Sequence, residues 1–170
     1  VILPKGFDLP GLTDSKKLAP ARRKTLALAI KEQAVAWAMG VAWPREIREK
    51  NILHASLAAM ARAVARLKLS PAYVLVDGNQ LMPTPVPQEW VKGGDLRVPE
   101  ISAASILAKT WRDHLMAILD TRFPGYGLAR HKGYGTQEHR EALKRLGPSP
   151  MHRKGFKGVD DGESLWLPGI

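Results

Sequence analysis

Two acidic residues stand where a hard cation could be held. Asp77 closes the apolar run Tyr73 to Val76 and is followed by Gly78, and Asp95 follows Gly93-Gly94. A carboxylate at a strand end, beside a glycine that lets a backbone or phosphate come close, suits a metal ligand. The same Asp-Gly pattern also serves as a plain turn, and Asp95 could equally cap the structure after it. Together they are hard oxygen ligands on separate elements, which is what Mg²⁺ or Mn²⁺ needs to bridge to phosphate, and two such ions activate water and stabilise a leaving oxygen. Asp113 is a third candidate; against it stands an ion pair with Lys109 one helical turn earlier. Lys16, Lys17, Arg22, Arg23 and Lys24 gather around a helix start, where cations oppose the helix dipole. Phosphate binding explains them, and so does a solvated basic face. Asn51 either caps the helix that follows or touches a backbone phosphate. Tyr134 lies between Gly133 and Gly135, where an exposed ring can stack on a sugar or base; packing against its own domain is the alternative. His131 and His139 lack zinc spacing, so surface or phosphate-contacting roles are expected. No nucleophile-elbow, P-loop or dinucleotide motif is present.

The elements that must position these residues alternate between strand and helix, which predicts an α/β fold. Tyr73 to Val76 reads as a buried strand whose C-terminal edge carries Asp77, the edge that ligands favour in such sheets. Pro83, Pro85 and Pro87 suit an extended loop, and Trp90-Val91 a brief second strand. The spacing of Leu26, Ile30, Ala34 and Trp37 predicts a helix from Pro20 to near Gly40, and Leu57, Met60, Val64 and Leu67 one over about 55–68. Ser102 to Arg122 gives the longest helix, with Ala104, Ala108, Trp111, Leu115 and Ile118 inside. Thr136 N-caps a last helix that ends at Gly147-Pro148. Val1 to Leu3 look like the end of a strand.

The composition narrows the partner. In 170 residues there are 26 Lys+Arg against 16 Asp+Glu, a formal charge of +10, with 45% hydrophobic residues. That is enough for a sizeable core, in one domain, with a surface that favours a polyanion, nucleic acid above all. Residues 1–70 carry 13 Lys+Arg and 5 Asp+Glu, while residues 71–170 carry 13 and 11. A first half that grips phosphate and a second half that supplies carboxylates for a cation fits this split. The absence of cysteine excludes a disulfide scaffold, a thiolate zinc site and a cysteine nucleophile. No run is long enough to span a bilayer, and the start lacks a signal-peptide layout, so a cytoplasmic protein is expected.

DSKKL (Asp14 to Leu18), NILHAS (Asn51 to Ser56), YVLVDGN (Tyr73 to Asn79), VKGGD (Val91 to Asp95), ISAASILAK (Ile101 to Lys109), HKGYGT (His131 to Thr136) and MHRKGF (Met151 to Phe156) follow one another without large insertions. In this order they resemble bacterial ribonuclease HII over roughly residues 1–157. The resemblance implies an RNase H-like fold, a mixed β-sheet flanked by helices with a C-terminal helical portion, and residues 158–170 as a tail. It implies metal-dependent endonucleolytic cleavage of RNA in RNA–DNA hybrids, and cleavage 5′ to ribonucleotides embedded in duplex DNA, leaving 3′-hydroxyl and 5′-phosphate ends. Asp77 and Asp95 map onto two of the family's four metal-binding acids for Mg²⁺ or Mn²⁺. Tyr134 would pack on the deoxyribose beside the scissile junction, and Lys16, Lys17 and Asn51 would hold backbone phosphates.

The family's opening motif, an adjacent Asp-Glu pair followed by a Gly-Arg-Gly loop, is absent from a sequence that begins Val1-Ile2-Leu3-Pro4. The expectation is that these residues belong to a longer enzyme. Gly155 replaces the family's usual Ser and puts one phosphate or capping contact in question. A second reading, from a different class, is a catalytically silent duplex-binding module that keeps the basic surface and Tyr134. A monomer is expected. The Ser-Leu-Trp-Leu core within Glu163 to Leu167 is short and apolar enough to dock on a sliding clamp, and a disordered or tucked-in tail is the alternative.

Overall fold

A computed structural model describes residues 1–153. Lys154 to Phe156 of the last motif, including Gly155, and the tail with Glu163 to Leu167 lie outside the described residues. The elements run α1 (Pro20–Gln33), α2 (Pro44–Ala65), β1 (Val74–Asp77), β2 (Gln88–Val91), a 3₁₀ turn over Gly94–Leu96, α3 (Pro99–Arg122), α4 (Leu128–His131) and α5 (Gln137–Leu146). They fall into two compact units, one of Val1–Ala42 with His54–Trp111, the other of Trp43–Leu53 with the residues from Arg112 onward.

In the first unit β1 and β2 pair in parallel, with Val76 opposite Trp90 and Asp77 opposite Val91. The Pro-rich stretch between them lies outside the strands, with bends at Pro83, Pro85 and Val86. Gln88 fixes it from the β2 side, its amide accepting from Met82 N–H at 3.0 Å and donating to Met82 C=O at 2.7 Å. Val76 and Met82 pack with Leu57 of α2, and Val74, Ala61 and Val64 join them. A second cluster joins Leu26, Ala27 and Ile30 of α1 to Ala103, Ile106 and Leu107 of α3. Antiparallel pairing among the described residues is confined to the bridge between Ile2 and Ala36.

That bridge ends α1 earlier than the periodicity predicts. Ala34 turns extended at ψ 139, and Val35 N–H then donates to Ile2 C=O at 2.9 Å. Trp37 is therefore not on a helical core stripe; it is partly exposed and sits under Lys31 Nζ, 4.9 Å from its ring centroid. Gly40 has another reason to be glycine, because a Cβ there would lie 1.7 Å from Ala59 C=O. The inner stripe of α3 is also rotated from the predicted one. Ala103, Ile106 and Leu107 are buried, whereas Ala108 and Ile118 are exposed. An alanine-rich helix carries apolar residues on most sides, so spacing alone does not fix its phase, and the bulkier Ile106 and Leu107 gain more from burial.

The second unit is helical. Leu119, Tyr126, Leu128, Ala142 and Leu143 form its core, with Leu115, Met116, Phe123 and Met151 against them. Thr136 caps α5 as expected, its Oγ1 accepting from His139 N–H at 3.3 Å. Gly147, at φ 70, ends the helix, where its N–H donates to Leu143 C=O at 2.9 Å. Among the described residues no helix is long and apolar enough to cross a membrane.

Candidate active site

The first unit brings Asp77 and Asp95 together. Asp77 is the last residue of β1, at the C-terminal edge of the parallel pair, and Gly78 then takes φ +116, a value that side chains rarely adopt. Gly94 N–H donates to Asp77 Oδ1 at 3.0 Å, so the peptide just before Asp95 is bonded to the Asp77 carboxylate. The two glycines ahead of Asp95 have separate reasons. Gly93 is left-handed at φ 65, and Gly94 is buried where a Cβ would lie 2.4 Å from Ile101 Cδ1. Behind Asp95, Ser102 Oγ donates to its carbonyl at 2.5 Å.

Neither carboxylate forms an ion pair among the described residues. Asp77 is exposed and Asp95 half-buried. Two acids held close by the backbone, with no cation of their own, fit a shared divalent ion. Among the described residues no group of three or more His, Cys, Asp or Glu could hold a metal. Asp113 belongs to the second unit, half-buried on α3, and already interacts with a neighbour.

The basic cluster divides into two kinds of residue. Lys16 and Lys17 are exposed on a loop fixed from beneath: Lys16 N–H donates to Asp14 Oδ1 at 2.8 Å and Lys17 N–H to Asp14 C=O at 3.0 Å. Ser15 is buried and its Oγ lies 2.8 Å from Ser105 Oγ. Arg23 is not a surface cation. It is 6% exposed, and its Nη1 donates to Ser15 C=O at 2.6 Å and Leu18 C=O at 3.0 Å. Arg22 likewise bonds Pro10 C=O at 2.7 Å. Two of the five cations therefore hold the loop that presents the lysines. Sequence reasoning missed this role, although an arginine three residues from Leu26 and seven from Ile30 shares their buried face.

In the second unit Asn51 is exposed at a break within α2, at φ 64 and ψ 169, a backbone region almost reserved for glycine. Tyr134 is 63% exposed. Its loop is held through the main chain: Gly133 N–H donates to His131 Nδ1 at 3.2 Å, and Tyr134 N–H to His131 C=O at 2.9 Å. Tyr134 C=O accepts from Thr136 N–H at 2.8 Å and lies 3.0 Å from His139 Nδ1. Arg112 Nη2 donates to Lys132 C=O at 3.2 Å, and Arg140 bonds Gly135 C=O.

The expectation of surface roles for His131 and His139 is corrected, since they are 7% and 6% exposed. Their rings stack with centroids 4.3 Å apart, and His139 Nε2 lies 3.0 Å from His152 Nε2. Burial holds His139 below the usual histidine range, against the upward pull of the Tyr134 carbonyl. Burial, with His139 beside it, lowers His152 to about 4. The available signal was spacing: His139, Ala142 and Leu143 fall on one helical face, which marks His139 as part of a core stripe.

The ribonuclease HII family model matches residues 5–159. Ribonuclease HII of Nitratidesulfovibrio vulgaris is 52% identical, over 94% of this chain and 77% of the relative. That of Neisseria meningitidis serogroup C is 53% identical, over 94% of this chain and 82% of the relative. Among solved structures, ribonuclease H2 of Pyrococcus horikoshii is similar at a TM-score of 0.73 with 20% identity, over 88% of this chain and 78% of that one. The ribonuclease HII of Archaeoglobus fulgidus, solved with PCNA, is similar at a TM-score of 0.66 with 23% identity, over 91% and 82%. The structures speak for an α/β, RNase H-like fold, and the family match with relatives of about half identity decides the rest: the chain belongs to the ribonuclease HII family of endonucleases.

Proposed function

We propose that this chain is a divalent-metal-dependent endonuclease that cleaves RNA in RNA–DNA hybrids and cuts 5′ to ribonucleotides embedded in duplex DNA, leaving 3′-hydroxyl and 5′-phosphate ends. The observation that carries the reading is the Gly94 N–H bond to Asp77 Oδ1, 3.0 Å long, at the edge of a parallel strand pair. It orients one carboxylate and places the next acid one peptide away, with no cation paired to either among the described residues.

Asp77 and Asp95 would hold Mg²⁺ or Mn²⁺; the ion supplies an activated water and charge stabilisation for the leaving oxygen. Lys16 and Lys17 grip backbone phosphates from a loop whose shape Arg23 and Asp14 set beforehand, so little order is lost on binding. Asn51 offers a further phosphate contact. Tyr134 presents its ring to the sugar beside the junction, where stacking discriminates the ribonucleotide site by shape. The partner of the Archaeoglobus fulgidus relative suggests a sliding-clamp contact for this chain too, through Glu163 to Leu167. The enzyme acts as a monomer in the cytoplasm.

The test is cleavage of a DNA duplex carrying one ribonucleotide, with Mg²⁺ or Mn²⁺ and an all-DNA control. A single cut 5′ to the ribonucleotide is the expected product. Binding without any cut would favour the silent duplex-binding module instead.

A further inference from the structure

In the second unit half-buried His152 and buried His139 form a directed chain of hydrogen bonds, with buried His131 stacked on His139. Ser149 N–H donates to His152 Nδ1 at 2.9 Å, so that nitrogen carries a lone pair and the proton of His152 sits on Nε2. His152 Nε2–H then points at His139 Nε2, 3.0 Å away, which must accept. His139 in turn carries its proton on Nδ1 and donates it to Tyr134 C=O at 3.0 Å. His131 closes the loop from the other side: it accepts Gly133 N–H on Nδ1 and donates Nε2–H to Tyr126 C=O at 2.7 Å. Every ring nitrogen of the three has a partner, and one set of neutral tautomers satisfies all of them. A single proton added to His139 or His152 would set donor against donor.

We propose that His131, His139 and His152 are positioning residues for Tyr134: His152 and His139 form a tautomer-locked relay from Ser149 to the Tyr134 carbonyl, His131 holds the Tyr134 N–H, and together they fix where the exposed ring stands. Tyr134 C=O spends its two lone pairs on Thr136 N–H and His139 Nδ1–H, and Tyr134 N–H is taken by His131 C=O. The main chain at Tyr134 is thus held on both sides of its Cα, while the side chain is 63% exposed. Buried rings that serve only packing would not need one definite tautomer each. The inference rests on the reading of Tyr134 as the residue that contacts the ribonucleotide junction.

The first measurement is made on the unaltered chain at neutral pH, by nitrogen-15 imidazole shifts. Nδ1–H is expected at His139 alone, with Nε2–H at His131 and His152; Nε2–H at His139, or a charged ring at His139 or His152, overturns the relay. The second is binding, by fluorescence anisotropy without a divalent ion, to a DNA duplex with one ribonucleotide and to its all-DNA counterpart. Tyr134→Ala is expected to lower the preference for the ribonucleotide duplex about tenfold, the size of one stacking interaction. His139→Leu should lower it by a similar factor, His139→Asn should restore most of it because its amide replaces the Nδ1–H donor, and the double variant His139→Leu with Tyr134→Ala should be no worse than Tyr134→Ala alone. Additive losses in the double variant overturn the positioning role and leave the reading of Tyr134 intact. No effect of Tyr134→Ala overturns both.

Discussion

At the scale of single residues, the metal assignment makes the sharpest demand. Asp77→Asn and Asp95→Asn each keep the volume of the side chain and remove its charge. Each is expected to lower cleavage at least about a hundredfold while duplex binding persists, because what is lost is stabilisation of developing charge. Unchanged cutting by both variants in a single-turnover assay would remove the assignment. Asn51 makes a different demand, through its backbone at φ 64 and ψ 169. Asn51→Gly and Asn51→Ala lose the same side chain, but only glycine accepts that conformation freely. The glycine variant should be the more stable by about 1 to 2 kcal/mol in urea unfolding, and both should bind the duplex more weakly. The positions of Asp77, Asp95 and Tyr134 at bends of the chain were legible in the sequence because glycines flank them. Arg23 was not, because a buried guanidinium serving two carbonyls reads, in a run of cations, like one more exposed charge.

At the scale of elements, two short devices decide geometry. Gly94→Ala puts a methyl against Ile101 and pushes on the peptide that holds Asp77. A cost of about 1 to 3 kcal/mol in stability is expected, with a loss of cleavage larger than that of stability. Thr136→Ala removes the cap of α5 and should cost about 1 kcal/mol by chemical unfolding, while the main-chain bond from residue 136 N–H to Tyr134 C=O remains. The strand pair, the proline-rich connection and the α5 cap were legible from the sequence, since each depends on residues with narrow conformational habits. The end of α1 was not: Ala34 to Trp37 keep a helical pattern, and the bonds from Ile2 that pull them extended come from more than 30 positions away. The helical turns from Pro44 up to Asn51 were hidden too, although a helix boundary near Asn51 was expected, because their apolar positions are few and carry no clear stripe.

At the scale of the whole molecule, charge and protons set the working range. With a formal charge of +10, affinity for duplex should fall steeply with salt. Lys16→Ala with Lys17→Ala should reduce the slope of log affinity against log salt by about 2, one unit for each phosphate no longer neutralised. An unchanged slope would place those lysines off the nucleic acid. Stability should depend on pH in one direction. His152 lies at about 4 when folded, below its ordinary value of 6.5, and His139 is lowered as well. The native state therefore binds fewer protons than the unfolded chain, so this stabilisation is complete above about pH 6.5 and is lost as pH falls toward 4. A urea midpoint that does not drop between pH 7.5 and pH 4.5 would contradict it.

The hydrogen bonds to His131, Thr136 and His139 run through the N–H and C=O of residue 134, so these bonds do not depend on which side chain it carries. The loop is in effect a socket. Phenylalanine, tryptophan or histidine could be seated there without refolding the turn, so the surface offered to a substrate can vary while the fold that offers it stays constant. Preference and stability, usually entangled at a binding surface, are separable at this one position.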